Sequence, residues 1–201
     1  MLLPPTCGRH QHPRCCADLC DEHSALVGIA VGGAVAPSAG YVADNGPWEI
    51  FPASAVDLCV EVQGGVSTLS AQVQVYDCAT WNGGVTPLHQ RWIFRPTSGG
   101  YQRIVNGKTG MCANIKGSTD VNSTKIVQYN CGGSGMLNDQ WYPQFVRKIG
   151  GFDFYQFKSR LNPAKCLNVQ GSTTSNGSDL ILYPCTTTTN AIFSWAPAVQ
   201  A

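Results

Sequence analysis

From Pro47 onward the chain is a succession of short apolar runs, several alternating with polar residues, each broken within a few positions by glycine, proline or asparagine. Phe154-Tyr155-Gln156-Phe157 alternates with a period of two, and Leu161-Asn162-Pro163 interrupts it. Cys166-Leu167-Asn168-Val169 follows, then a polar stretch over 171–179, then Leu180-Ile181-Leu182-Tyr183 and finally Phe193-Ser194-Trp195. Runs of this length and composition predict strands joined by turns, and no segment carries a helical period. The preceding fifty residues repeat the scheme: Tyr101-Gln102-Arg103-Ile104-Val105, a hairpin signal at Asn106-Gly107, then cysteine-bearing strands near 111–115 and 125–129. Four strands in each of three units, at about 47–98, 99–148 and 149–201, give roughly twelve strands in all.

The units are copies of one another. Cys59 and Cys78, Cys112 and Cys131, and Cys166 and Cys185 are each 19 positions apart. Gly64, Gly117 and Gly171 stand five residues after each first cysteine, with Val62, Ile115 and Val169 two positions before them. Tyr76, Tyr129 and Tyr183 stand two residues before each second cysteine, and the units close on Trp92, Trp141 and Trp195. The first unit is the loosest, with 14 residues from Cys78 to Trp92 and a longer loop predicted over 82–86. A four-strand unit cannot bury its own apolar face, so neighbouring copies must supply the rest of the core. Spacing alone permits a short solenoid or a closed pseudo-threefold barrel; closure leaves fewer open sheet edges.

Composition narrows the function. A net charge of +1 and only 12% charged residues exclude a broad basic field for nucleic acid or an anionic membrane. Ten cysteines in 201 residues point to an oxidising compartment, and the three even pairs read as disulfides. Metal binding by the pairs is the weaker reading, because the close spacing of zinc sites is absent. Closing each loop contributes on the order of 3 kcal/mol.

Residues 1–46 stand apart from the repeats as a leader. The apolar run Ala25 to Ala36, followed by small residues, resembles a secretory signal and is too short to span a bilayer, which needs ~20 residues. Export as a secreted protein is expected, with the first 38 or so residues removed and no membrane insertion of the mature domain. Cys7, Cys15, Cys16 and Cys20 offer zinc-type ligands with His10, His12 and His23, but their spacing fits no familiar finger, and a leader is the plainer reading.

The endings His89-Gln90-Arg91-Trp92, Asn138-Asp139-Gln140-Trp141 and Ile192-Phe193-Ser194-Trp195 resemble degenerate copies of the Q-x-W signature of ricin-type β-trefoil lectin domains. The openings Cys112-Ala113-Asn114-Ile115 and Cys166-Leu167-Asn168-Val169 resemble that family's C-L-D-V strand, and the strands ending at Cys131 and Cys185 its aromatic-x-Cys strand. The resemblance implies an all-β, twelve-strand β-trefoil that binds sugars in shallow pockets, has no catalytic activity and needs no cofactor or metal. It implies a signature core of Gln90, Trp92, Trp141 and Trp195. It also implies three pockets, each with an acid two residues after the first cysteine, an aromatic two before the second, and an amide just before Q-x-W.

Carried over, the aromatics are Tyr76, Tyr129 and Tyr183, and the acid positions hold Glu61, Asn114 and Asn168. The amide positions hold His89, Asn138 and Ile192, with Gln74 a further polar neighbour of Glu61. The chemistry suits a sugar: carboxylates and amides bond to hydroxyls, and a ring stacks on the C–H face of a pyranose. The second unit, with Asn114, Tyr129 and Asn138, keeps the fullest set and is expected to be the principal pocket. No P-loop, H-E-x-x-H or nucleophile elbow is present, and a carbohydrate-binding protein is the leading reading. A non-sugar interaction trefoil, such as an adhesin or protease-inhibitor-like protein, is the alternative. Asn122-Ser123-Thr124 and Asn176-Gly177-Ser178 are sequons for N-glycosylation in a eukaryotic source. Oligomeric state does not follow from the sequence.

Overall fold

The computed structural model describes residues 46–133, 135–172 and 175–200. The expectations placed on the leader, its signal and its four cysteines lie outside the described residues. Twelve strands follow in order: β1 (Trp48–Pro52), β2 (Leu58–Val62), β3 (Val73–Asp77), β4 (Trp92–Pro96), β5 (Gln102–Asn106) and β6 (Cys112–Ile115). Then come β7 (Thr124–Tyr129), β8 (Trp141–Ile149), β9 (Phe152–Ser159), β10 (Lys165–Val169), β11 (Ser178–Pro184) and β12 (Phe193–Pro197). The expected count and the all-β class are borne out. Among the described residues no helix is long and apolar enough to cross a membrane.

Pairing decides between solenoid and barrel. β1 pairs with β4, β4 with β5, β5 with β8, β8 with β9, β9 with β12, and β12 returns to β1. That is a closed six-stranded ring, and closure removes its edges. The other six strands form three hairpins, β2–β3, β6–β7 and β10–β11, one from each repeat. The fold is a β-trefoil.

The hairpins are tied to one another in a cycle. The turn of the first repeat donates Ser70 N to Gln128 O of the second (2.9 Å). The second turn donates Ser123 N to Leu182 O of the third, and the third donates Gly177 N to Val75 O of the first, both again at 2.9 Å. Ser70, Ser123 and Gly177 all have positive φ (63°, 65° and 82°), so the turn that frees each N–H is the same in all three copies. Gly64, Gly117 and Gly171 sit at φ of 62°, 64° and 69°, the left-handed region where a side chain is strained, which explains their recurrence at the end of each first hairpin strand.

The three disulfides are formed within repeats, Cys59–Cys78, Cys112–Cys131 and Cys166–Cys185, with Cα separations of 4.9, 5.0 and 4.9 Å. These lie inside the ordinary disulfide range of about 4.4–6.8 Å. Each bond ties a first hairpin strand to a residue one or two positions past the second.

The core fills the barrel and the space under the hairpins, with Val60, Val62, Val73, Val75, Ile115, Ile126, Val169 and Leu180 supplied from the cap. Where each barrel strand leaves the cap stands a fully buried large ring: Trp92, Trp141 and Phe193. Their equivalence follows from register, since Trp92 faces Asn106, Trp141 faces Ser159, and Phe193 faces Pro52, the last residues of β5, β9 and β1. Trp92 Nε1 donates to Val60 O (2.7 Å) and Trp141 Nε1 to Ala113 O (3.0 Å), fastening barrel to cap.

This corrects the sequence reading of the third repeat. Trp195 is not the counterpart of Trp92 and Trp141. It lies two residues deeper, level with Phe94, and is only partly buried, packing against Phe94, Phe157 and Tyr155 with ring centroids 5.1, 5.9 and 4.8 Å away. The connection from Cys185 is shorter, so Phe193 reaches the signature position first. Phenylalanine fills the space but has no N–H to offer the cap.

Trp92→Phe and Trp141→Phe should therefore each cost about 1–3 kcal/mol, by stranding a buried carbonyl. Trp195→Phe, which breaks no such bond, should cost less than either. Urea unfolding of the three variants checks this, and an equal or larger loss for Trp195→Phe would restore it to the signature position.

Candidate functional site

Each hairpin presents the same four-cornered surface. Register places Cys59 opposite Tyr76, Cys112 opposite Tyr129 and Cys166 opposite Tyr183. Two residues along, on the same face because side chains alternate across a strand, Glu61 stands opposite Gln74, Asn114 opposite Val127 and Asn168 opposite Ile181. Tyr76, Tyr129 and Tyr183 are each 43% exposed, whereas Glu61, Asn114 and Asn168 are buried. A ring open to solvent stands over a buried polar group in all three copies.

In the first repeat the buried group is charged. Glu61 Oε1 accepts from Gln74 Nε2 (2.9 Å), and Oε2 accepts from Gln90 Nε2 (2.9 Å), with His89 Nε2 at 3.4 Å. Burial pushes the carboxyl up, but hydrogen bonds from His89, Gln90 and Gln74 and the charge of His89 outweigh it, so the net shift is downward. Gln90 also donates to Asp77 O (2.9 Å), binding the end of β3 to the site. Lys108, which the sequence did not single out, donates from Nζ to Gly65 O at the turn against which the His89 ring packs. Gln90, expected as a core residue, is buried and, together with Gln74, also holds the Glu61 carboxylate.

In the second repeat two amides replace the charge. Asn138 Nδ2 donates to Asn114 Oδ1 (2.6 Å) and to Ile115 O (3.3 Å). Among the described residues these bonds use the Asn114 side-chain oxygen and the Asn138 amino group, not the Asn114 amino group or the Asn138 side-chain oxygen. The Gln90 position is taken by Asp139, fully buried, which no longer reaches the pocket. It accepts from Arg103 Nε (2.9 Å) and Gly132 N (2.7 Å) and so anchors the loop after Cys131.

In the third repeat the corrected register moves the amide. Ile192 is buried and does not occupy that position. Asn190 does: it precedes Phe193 by three residues, as Asn138 precedes Trp141 and His89 precedes Trp92. Its Nδ2 donates to Val169 O (3.1 Å), the counterpart of the Asn138 bond to Ile115 O. Asn168 turns its own Nδ2 back to Cys166 O (3.1 Å), so one of its two amide donors is spent on its own strand. Asn190 was legible in principle, since aligning on buried apolar residues rather than on the tryptophan letter brings it into place.

Among the described residues no group of three His, Cys, Asp or Glu side chains could hold a metal ion. The arrangement offers fixed hydrogen-bonding groups and an exposed ring in three places.

Residues 88–183 match the family model described as a ricin-type beta-trefoil lectin domain-like family. Over that stretch the chain is similar to ricin-type lectin domains, as the signature residues implied, and its fold is the β-trefoil. Among solved structures, a designed three-fold symmetric protein, ThreeFoil, is similar at 20% identity and TM-score 0.64, covering 78% of this chain and 100% of its own. The ricin B-like lectin of Macrolepiota procera, solved with lactose, is similar at 14% identity and TM-score 0.61, covering 79% of this chain and 99% of its own. An exo-β-1,3-galactanase from Clostridium thermocellum is similar at 23% identity and TM-score 0.64 over 80% of this chain, which spans only 31% of that enzyme. At these identities the likeness is one of fold. No curated protein sequence matches the chain significantly.

The Glu61 shift carries a pH prediction. A carboxyl whose value falls on folding contributes stability that is present above its ordinary value near 4.5 and is lost as pH drops through the lower folded value. Glu61→Gln should flatten the acid limb of the stability profile below about pH 4.5. Denaturation measured from pH 3 to 7 tests it, an unchanged acid slope being the contrary result.

Proposed function

We propose that this protein is a secreted lectin that binds sugar units of a glycan or polysaccharide through shallow pockets on the three hairpins. The observation that carries the reading is the threefold recurrence of an equally exposed tyrosine over a buried, hydrogen-bonded amide or acid. An exposed ring supplies the stacking surface, and fixed polar groups supply direction. The ricin-type family match and the lactose complex of the Macrolepiota procera lectin support carbohydrate as the ligand class. Three disulfides agree with an oxidising, extracellular setting. We read the role as binding, not catalysis.

The second pocket, with Asn114, Tyr129 and Asn138, is the principal one in this proposal. Its amide pair is satisfied internally through one donor and one acceptor and keeps one of each for a sugar hydroxyl. The first pocket (Glu61, Gln74, Tyr76) has both carboxylate oxygens engaged by its own side chains, and the third (Asn168, Tyr183) has turned one amide inward. A neutral pocket lacks charge-assisted bonds, which are about twice as strong as neutral ones. One site alone should bind with Kd on the order of 1 mM, about −4 kcal/mol, and useful avidity requires two pockets on one polymer.

On protein made in a bacterial host, a glycan array should show sugar binding. Tyr129→Ala should remove most retention on a polysaccharide column, and Tyr76→Ala and Tyr183→Ala smaller parts. Negligible effects of all three on a domain shown by circular dichroism to stay folded would instead favour a protein-binding trefoil. Intact mass of the exported protein should show a chain that begins near Ala39, and a retained Met1 would contradict the export reading.

A further inference from the structure

The two sequons occupy equivalent places in the trefoil. Asn122 and Asn176 each stand ten residues after the first cysteine of their repeat. Each is followed by a residue with positive φ, Ser123 at 65° and Gly177 at 82°, and then by a hydroxyl at the start of a strand. Thr124 Oγ1 donates to Val121 O (2.8 Å) and Ser178 Oγ to Ser175 O (2.7 Å), the same bond in both turns. Both asparagines are exposed. In the first repeat the corresponding turn reads Leu69-Ser70-Ala71 and has no sequon.

The cyclic hand-off of turns decides what lies beside each asparagine. The Asn176 turn rests on β3 of the first repeat: Gly177 N bonds Val75 O, and Asn176 Oδ1 accepts Asp77 N at 2.8 Å, so the turn grips the residues on both sides of Tyr76. A Cβ at Gly177 would stand 4.0 Å from Gln74 Oε1 in the same pocket. The Asn122 turn rests on β11: Ser123 N bonds Leu182 O, the residue before Tyr183. Tyr129 is bordered instead by the Ser70 turn, through Ser70 N to Gln128 O.

We propose that Asn122 and Asn176 are N-glycan acceptors, and that their glycans cover the pockets at Tyr183 and Tyr76 while leaving the pocket at Tyr129 open. The donor class is an oligosaccharide linked through C1 to a polyprenyl diphosphate. The asparagine Nδ2 forms the new bond to C1 and gives up a proton, and the C1–O bond breaks with the diphosphate as leaving group. At Asn176 the bond to Asp77 N uses the oxygen, so the nitrogen stays available to carry the sugar. Glycosylation would convert a three-pocket domain into a one-pocket domain, with avidity lost accordingly. The consequence for ligand binding rests on the lectin reading; the modification and the shielding do not.

The test is the full chain secreted from a eukaryotic host, beside N122Q, N176Q, and the alternatives T124A and S178A, which remove each sequon without touching its asparagine. Glycopeptide mapping should find glycan on both asparagines, and none on a site whose sequon is removed. Tyrosine nitration by tetranitromethane reads shielding without any ligand. The three tyrosines start equally exposed, so Tyr76 and Tyr183 should react several-fold more slowly than Tyr129 in the glycosylated protein, and at the same rate once the sequons are removed. Removing both sequons should also raise retention on the polysaccharide several-fold, by an amount that Tyr76→Ala and Tyr183→Ala abolish. Unmodified asparagines in a host that glycosylates a control sequon overturn the proposal. So do glycans that leave all three nitration rates equal, whether or not the protein binds sugar.

Discussion

A four-strand unit with one apolar face and no partner cannot persist in water, and every later feature of this molecule follows from that constraint. The solution is cyclic. The barrel closes when β12 returns to β1, and the three hairpins close when the third turn bonds back to the first repeat. Neither ring has an end. The two are joined by side chains, with Trp92 and Trp141 carrying an indole N–H from the barrel into the cap. The disulfides then lie wholly within hairpins, stiffening each one without being needed to connect repeats.

Cyclic closure also explains why the candidate pockets sit where they do. A hairpin that buries one face against the core leaves its other surface at the rim, and its first strand carries buried polar groups that must be satisfied. Gln74 and Gln90 satisfy Glu61, Asn138 satisfies Asn114, and Asn168 bonds its own strand. Three copies have thus reached three different hydrogen-bonding solutions on one backbone. The tyrosines, by contrast, share one environment, which is why their exposure is the same. The backbone symmetry is strict where hydrogen bonds between repeats enforce it and relaxed where side chains face only solvent or one another.

Most of the fold was legible in the sequence, because repeated spacing reports repeated backbone. The cysteine, glycine and tyrosine positions are held by a covalent bond, a left-handed turn and a strand register, none of which tolerates slippage. Barrel closure was legible through the family resemblance and the argument from open edges, not through spacing, since pairing between distant strands leaves no mark there. The register of the third repeat was misread for a different reason. Burial at that position demands volume, which Phe193 supplies as well as tryptophan does, while the conspicuous Trp195 serves a deeper layer against Phe94 and Phe157. Residue identity misled where packing would have guided. The same error hid Asn190, and nothing in the local sequence marks Lys108 as a neighbour of the first pocket.

The turns between hairpin strands show how one constraint can serve two ends. Asn-Ser at 122–123 and Asn-Gly at 176–177 suit a turn that needs positive φ at its second residue and a hydroxyl to close it, so turn chemistry alone accounts for the residues chosen. The same three residue types in the same order form an acceptor sequence for N-glycosylation. Because each turn is obliged to rest on the neighbouring hairpin, anything attached to it must project over that neighbour's tyrosine and not over its own. The first repeat breaks the pattern with Leu69-Ser70-Ala71, and the hairpin it rests on is the second. The proposed pocket with the most complete amide pair is therefore also the one whose border carries no acceptor asparagine. Both facts arise from divergence of copies that share the turn-to-hairpin bonds of one ring.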